Sequence, residues 1–391
     1  MANNRQILVL NAGSSSLKIG LFDFDAQQQI ERQLDTQDVS WPSTPEKEAE
    51  SGTAPAISSH STALRHLLDK IDLTQVSGVG HRVVHGGEHF RDAVRIDEGV
   101  KQAIRDLGKV APLHNPVALE VIEAAQAMLP TIPHVAAFDT AFHHTLPPSE
   151  YLYALPYEWY ERWRVRRFGF HGLSYAYCAP KAAQILQRPL DQTRMVICHL
   201  GSGCSLCAVQ NGQSVATTMG FTPLEGVMMG TRSGDVDPGL LLYLIDHENQ
   251  TTASLNDALN HASGLKGISG ISGDMREIMT AMQSGNMRAQ LAFDRFTARL
   301  RTHIAAMIAT LGGVDAIVFT GGIGEHSADV RSAVIGPLGW IGAALDESAN
   351  HADPFDRDIA TTDSKVRVLV IRTNEEMVVA RETRRLIASA Q

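Results

Sequence analysis

Two stretches about half the chain apart follow one pattern. LVLNAGSSSL (residues 8–17) and VICHLGSGCSL (196–206) each run an apolar strand into a polar residue, a Gly/Ser turn and a second strand. Apolar runs such as 7–10, and 195–200 with His199 as its one polar residue, suit strands buried on both faces, which need helices to cover them. One such pair is thin support for a duplication, because Gly/Ser turns after strands are common. Two similar α/β lobes with a cleft between them are nevertheless the simplest account of a 391-residue chain, long enough for two domains.

The rest of the sequence fits that alternation of strands and helices. Residues 17–22, 78–87, 316–320 and 366–371 read as strands, and 61–71 has helical apolar spacing. Asn115 at a cap and Pro116 at the first helical position open a helix ending near Met128. Asp237-Pro238 opens an apolar helix over 239–245 in the same way; Ser327 caps a helix through Val334, and Asn374 caps the final helix through Ile387. Residues 36–60, rich in Ser, Pro, Thr and Glu, read as a solvated surface excursion.

Charge and cysteine usage narrow the class. A net charge of −9 argues against a nucleic-acid or anionic-membrane partner. Four cysteines cannot form a disulfide framework, and a reducing cytoplasm is expected. The N-terminal apolar run is too short for a signal peptide, and no apolar stretch approaches the roughly 18 residues of a membrane span.

Three Gly-rich turns follow apolar strands: residues 11–18, 199–206 and 320–326. The first combines exposed amides, small side chains and Lys18, the composition of a phosphate cradle, although an ordinary hairpin fits that segment alone equally well. There is no GxxxxGK[ST] and no GxGxxG, so neither a Walker A loop nor a Rossmann site is expected. Three such turns together suit a mononucleotide bound across a cleft. Arg82 and Arg232 lie in largely apolar segments and call for anionic partners, either structural carboxylates or substrate. Asp139 ends an apolar strand, where a ligand or metal carboxylate often projects. Glu375 starts the last helix, where it also complements the helix dipole. His114 precedes a helix start and could help hold an anion there. His81, His85 and His89 are spaced by four, but fall in strand and turn rather than helix, which disfavours a metal site; Cys198, Cys204 and Cys207 read as small core residues and His143-His144 as a surface pair.

Taken together these segments closely resemble the acetate kinase family, within the acetokinase group of short-chain carboxylate kinases. The matching stretches are LVLNAGSSSLK, VGHRVVHGGE, APLHNP, FDTAFHHTLP, RFGFHGLS, CHLGSGCSL, TMGFTPLEGVMMGTRSG, FTGGIGE and RTNEEMVVARET, in the family's order from residue 8 to residue 383. The resemblance implies two ribonuclease-H-like lobes of the actin-like ATPase superfamily with the active site in the cleft between them. The lobes would be 1–138, completed by 376–391, and 139–375. It also implies a homodimer and phosphoryl transfer from ATP to acetate with Mg²⁺, or Mn²⁺, giving acetyl phosphate and ADP.

The resemblance further implies roles. Asn11 and Glu375 would position the metal, while Lys18, Ser14 and Ser16 would face phosphate. Arg82 would hold the substrate carboxylate, with Val84, Leu113, His114, Phe170 and Pro223 around the acyl group. Asp139, His171 and Arg232 would be catalytic. The nucleotide would meet His199, Leu200, Gly201, Ser202 and Gly203, then Asp274, Met275 and Arg276, and finally Gly322, Ile323, Gly324, Glu325 and His326. Acetate is ionised near neutrality, its pKa being close to that of Glu at about 4.3, so cations and alignment matter more than a base. Asp139 is accordingly expected to orient rather than to deprotonate. Four positions depart from the family pattern: Ser202 for Asn, Tyr175 for His, Met275 for Phe and His326 for Asn. The competing readings are a propionate-preferring kinase on the same scaffold and a non-catalytic actin-like nucleotide-binding module. The second leaves the arginines, Asp139 and His171 unexplained.

Overall fold

The computed structural model describes residues 6–13, 16–25, 30–40, 60–112, 114–353 and 355–389. It divides into one unit holding the chain up to His144 and from Asn374 on, and a second, Thr145–Thr373. These breaks fall a few residues from the 138/139 and 375/376 divisions read from sequence, and they place both Asp139 and Glu375 in the first unit.

The first unit is built on β1 (Gln6–Ala12), β2 (Ser16–Asp25), β3 (Ile30–Ser40), β4 (Val76–Val83), β5 (Val94–Arg95) and β6 (His134–Phe138), in the order β3-β2-β1-β4-β6-β5. The strands β1, β4 and β6 run parallel, while β2 and β3 form an antiparallel meander on one side. Helices His60–Leu68 and Asn115–Met128 cover one face through Leu64, Leu67, Val121 and Ala125, packed on Leu8, Leu10, Leu17, Ile19 and Val79. The last helix, Glu375–Ala388, lies on β4 and β1. It approaches so closely that a Cβ at Gly80 would sit 2.4 Å from Thr383 Oγ1 and 2.7 Å from Val379 Cγ1. Glycine at that position is what lets helix meet strand.

The second unit repeats the plan. Its strands β7 (Arg194–Leu200), β8 (Cys204–Gln210), β9 (Gln213–Thr217), β10 (Ala316–Thr320), β11 (Arg357–Asp358) and β12 (Arg367–Val370) are ordered β11-β12-β10-β7-β8-β9. Read from the β9 edge this is the same sequence of an antiparallel meander, a parallel group and a short antiparallel edge. The echo between residues 8–17 and 196–206 therefore marks two whole sheets of one topology, each starting with the same hairpin. The helix Met287–Leu311 packs on β8 and β9, burying Phe293, Phe296, Leu300, Ile304 and Leu311 at helical spacing between an Asn286 cap and a left-handed Gly312.

Several sequence expectations are corrected. Residues 36–40 belong to β3, a polar edge strand held by its ladder to β2 rather than by burial, and His60 already opens a helix; residues 41–59 lie outside the described residues. The helix at 115 is capped by His114, without a side-chain bond. Asn115 instead clamps His85, accepting from its N–H at 3.1 Å and donating to its carbonyl at 3.0 Å. Residues 321–326 form a short helix, not a turn. His143 is buried; only His144 of that pair is exposed. All four cysteines are buried and free, which bears out the core reading of Cys198, Cys204 and Cys207 and adds Cys178 to it.

Candidate active site

The first unit gathers its polar residues at the carboxyl ends of its parallel strands, the usual location of ligand sites in open α/β sheets. Asn11 on β1 is in register with Lys18 on β2 and Arg82 on β4. Asp139 directly follows β6, its N–H bonded to the Val83 carbonyl. The final helix adds Glu375 and Glu376 from its first turn.

These groups form one network. The Arg82 guanidinium donates to both Asp139 oxygens, at 3.0 and 2.6 Å, and to Asn11 Oδ1 at 3.1 Å, with Glu375 at 3.6 Å. Lys18 pairs with Glu376 at 2.8 Å, and Asn11 Nδ2 donates to the same carboxylate at 3.3 Å. Burial disfavours the charge on Arg82, but the neighbouring carboxylates of Asp139 and Glu375 overcome it and raise its pKa. Burial likewise pushes Glu376 up, and Lys18 with Asn11 brings it below the usual carboxylate range.

Two cations thus face three carboxylates. Arg82 spends three of its five N–H groups on Asp139 and Asn11, which answers the sequence question about its anionic partner. Among the described residues no set of three His, Cys, Asp or Glu forms a ready metal cage. The donor set nevertheless fits Mg²⁺, which takes oxygen ligands and is commonly held by one or two carboxylates with waters and substrate phosphates. Glu376 was missed in the sequence reading; the acidic pair after the Asn374 cap was its signal. Val84, just past β4, is buried and His114 is half-buried, while Ser14 and Leu113 lie outside the described residues.

The second unit supplies a different chemistry. His171 caps the helix Gly172–Ile185 in a left-handed conformation, φ 58°, uncommon for a residue with a Cβ and frequent at functional sites. Its Nδ1 lies 2.8 Å from Ser205 Oγ, and its ring stacks on His199 at 4.1 Å between centroids. His199 Nδ1 is bonded to Ser174 Oγ at 2.8 Å. A Cβ at Gly203 would stand 3.5 Å from His171 Nε2 and 3.4 Å from Arg232 Nη1. The missing side chain therefore leaves a small hollow onto which both cationic or donor groups converge.

Arg232 is largely buried, its Nη1 donating to the Pro223 carbonyl at 3.1 Å, and desolvation lowers its pKa. Among the described residues no carboxylate pairs with it, in contrast to Arg82. A buried guanidinium held by a carbonyl is poised for an anion.

Backbone contacts bring the expected nucleotide segments beside this hollow. Gly230 N–H bonds the Ser202 carbonyl at 3.2 Å, and a Cβ at Gly230 would strike Gly273 O at 2.8 Å. A Cβ at Gly321 would likewise stand 2.9 Å from Leu200 O. Asp274 caps the helix Met275–Gln283 and is gripped by the exposed Arg276. An open cavity of about 520 Å³ is lined there by Asp274, Arg276, Glu277, Thr280 and Ala281, a size suited to a small ligand.

Some side chains named for the nucleotide point elsewhere. Leu200 and Met275 are core residues. Glu325 folds inward to accept from the N–H groups of Gly321 at 2.9 Å and Thr373 at 3.0 Å, bracing the 321–326 helix. Phe170 is buried, Gly322 borders open space and His326 is exposed against Phe355. Sequence reasoning also missed the brace under Pro223, in which Arg167 holds the carbonyls of Thr218 and Met219 and pairs with Glu225.

Comparison with known proteins identifies the family and the fold. The Acetokinase family model matches residues 6–381. The acetate kinase of Nostoc punctiforme is 47% identical over 396 residues, covering 96% of this chain and 98% of its own. A crystal structure of Porphyromonas gingivalis acetate kinase matches with a TM-score of 0.86 at 35% identity, over 98% of this chain and 100% of that one. A propionate kinase from Francisella tularensis also matches at 0.86, with 34% identity over 97% of this chain and 99% of its own.

Proposed function

We propose, from the premise that the chain belongs to the acetokinase family, that the residues gathered in its two units serve a single direct phosphoryl transfer. The chain is a phosphotransferase that phosphorylates acetate with ATP. A carboxylate oxygen of acetate attacks the γ-phosphorus as the bond to the β,γ-bridging oxygen breaks, and ADP leaves. No proton is abstracted, because the acid is already ionised.

Within that reading Arg82, aimed by Asp139, offers its remaining N–H groups to the acetate carboxylate. His171 and Arg232 stabilise the charge spread over the equatorial oxygens of the transferring group, where preorganised donors contribute most. Asn11 and Glu375 would hold Mg²⁺, which neutralises phosphate charge when bound. The observation that carries the proposal is the hollow at Gly203, where His171 Nε2 converges with an Arg232 that has no carboxylate partner among the described residues.

Acetate is preferred over propionate in this reading because the curated relatives are named acetate kinases; each extra methylene changes discrimination by only about 1–3 kcal/mol. A cytoplasmic homodimer completes the proposal. The helix Pro238–His247 buries none of its side chains, and Leu240, Leu242, Tyr243 and Ile245 are left exposed for a second copy to cover. Hydroxamate trapping with Mg²⁺-ATP and acetate, propionate or butyrate tests the activity. Acetyl hydroxamate should dominate; no acyl phosphate from any acid would refute the proposal.

A further inference from the structure

Two chain segments carry the groups that converge on Gly203. Residues 151–169 lead directly into His171, and residues 218–226 hold Arg232, whose Nη1 donates to the Pro223 carbonyl at 3.1 Å. One carboxylate, two residues past Pro223, joins the segments. Glu225 Oε1 accepts from Arg167 Nη2 at 2.5 Å, and Oε2 accepts from the Tyr153 hydroxyl. The direction of the second bond is fixed: the Phe221 N–H donates to the Tyr153 oxygen at 2.9 Å, and a carboxylate only accepts. Burial, with the Glu225 charge beside it, holds the Tyr153 phenol above its ordinary pKa, so its proton stays in place.

Backbone bonds continue the seam. The Gly220 carbonyl accepts from the N–H groups of Phe168 at 3.0 Å and Gly169 at 3.3 Å. Arg167 Nη1 holds the carbonyls of Thr218 and Met219 at 2.9 and 3.1 Å. A Cβ at Gly220 would overlap both the Glu225 carboxylate and the Tyr153 hydroxyl, so the glycine is what admits the bridge. On its other side Glu225 adjoins a loop closed at its base. Gly226 N–H donates to Asp235 Oδ1 at 2.8 Å and the Gly226 carbonyl accepts from Asp235 N–H at 2.9 Å, with Arg232 inside the loop.

A shift of residue 225 is therefore passed both to Pro223 and to the loop that carries Arg232. A carboxylate with a separate partner on each oxygen has one orientation, and loss of its charge weakens both bonds. Resting on the phosphoryl-transfer reading, we propose that Glu225, bridged to Tyr153 and Arg167, is a positioning residue that fixes Arg232 relative to His171 across the hollow.

The test is a double-mutant cycle of Glu225→Gln with Arg232→Ala, read by steady-state kinetics of acetyl phosphate formation on variants shown to be folded by thermal melts. With Arg232 present, Glu225→Gln should lower kcat about 10- to 100-fold, the scale of a misplacement of about 1 Å, with KM for ATP unchanged. In the Arg232→Ala background the same change should cost less than about twofold, since the group it aims is gone. Tyr153→Phe, which removes one bond and keeps the Arg167 pair, should show the same non-additivity with a smaller loss, and it decides the question if Glu225→Gln does not fold. Equal factors in both backgrounds, as a merely structural loss of active protein would give, or an unaltered kcat in Glu225→Gln, would overturn the proposal. A wild type that makes no acetyl phosphate would refute the phosphoryl-transfer reading and this role with it; an active wild type with an additive cycle refutes this role alone.

Discussion

Arg82 and Arg232 show how identical side chains acquire different work from their neighbours. Arg82 is locked to Asp139 and Asn11, whereas Arg232 is desolvated and held by the Pro223 carbonyl and the Met229 sulfur, with no carboxylate partner among the described residues. Arg232→Ala should consequently cost chiefly kcat, by about 10³-fold or more if it acts as other transition-state arginines do; steady-state kinetics with an unchanged kcat would remove it from that role. Gly203→Ala places a methyl group 3.4 Å from Arg232 Nη1 and 3.5 Å from His171 Nε2. It should fold normally yet lose kcat, because the added carbon fills the hollow. Asp139→Asn leaves Arg82 with a weaker, neutral partner. The rate should fall while the basic limb of the pH profile persists, and disappearance of that limb would make Asp139 a true base. Both arginines were visible in the sequence as cations in apolar segments. Their partners were not, since Asp139 meets Arg82 only through the register of β4 with β6.

The elements that position these residues were largely legible from apolar runs and caps. Asp237, Ser327 and Asn374 each accept the backbone bond expected of a helix cap. The strand β3 escaped detection because its side chains are mostly exposed and its stability resides in the ladder to β2, which leaves no apolar pattern. Helix 321–326 escaped because three glycines disguise a segment held by Glu325 and by Arg331, which donates to the carbonyls of Gly324 and Glu325. The close seat of the last helix on β4 carries a consequence for both fold and site. Gly80→Ala should destabilise the protein by about 1–3 kcal/mol, the usual range for overpacking, and should lower activity by displacing Glu375 from Arg82 and Glu376 from Lys18 and Asn11. A melting temperature and kcat equal to wild type would contradict that seat.

The same strand sets a pH dependence. His81 on β4 stacks on His134 of β6, with Nε2 and Nδ1 2.9 Å apart. Desolvation lowers both pKa values, and repulsion from His134 adds to it at His81. A base whose folded pKa is depressed takes up protons more readily when unfolded, so its contribution is intact above the unfolded value of about 6.5 and lost as pH falls below it. The melting temperature should decline on acidification below that point, and less steeply in His134→Gln. Parallel declines in the two proteins would show the pair to be protonated in the fold.

At the scale of the whole molecule, one sheet topology occurs twice and its two copies carry complementary chemistry. The first holds carboxylates, Asn11, Lys18 and Arg82 around the ends of parallel strands; the second holds the histidine stack, Arg232 and the Gly-rich segments. The exposed apolar helix Pro238–His247 should make the chain dimeric, and Leu242→Glu should shift its mass by light scattering toward that of one copy. Direct transfer within this arrangement leaves no place for a phosphorylated protein intermediate. The most direct measurement is the stereochemical course at phosphorus, using ATP made chiral at the γ-phosphorus with oxygen isotopes and sulfur. A single in-line displacement requires inversion in the acyl phosphate formed; retention would mean two displacements through a protein nucleophile and would contradict the account.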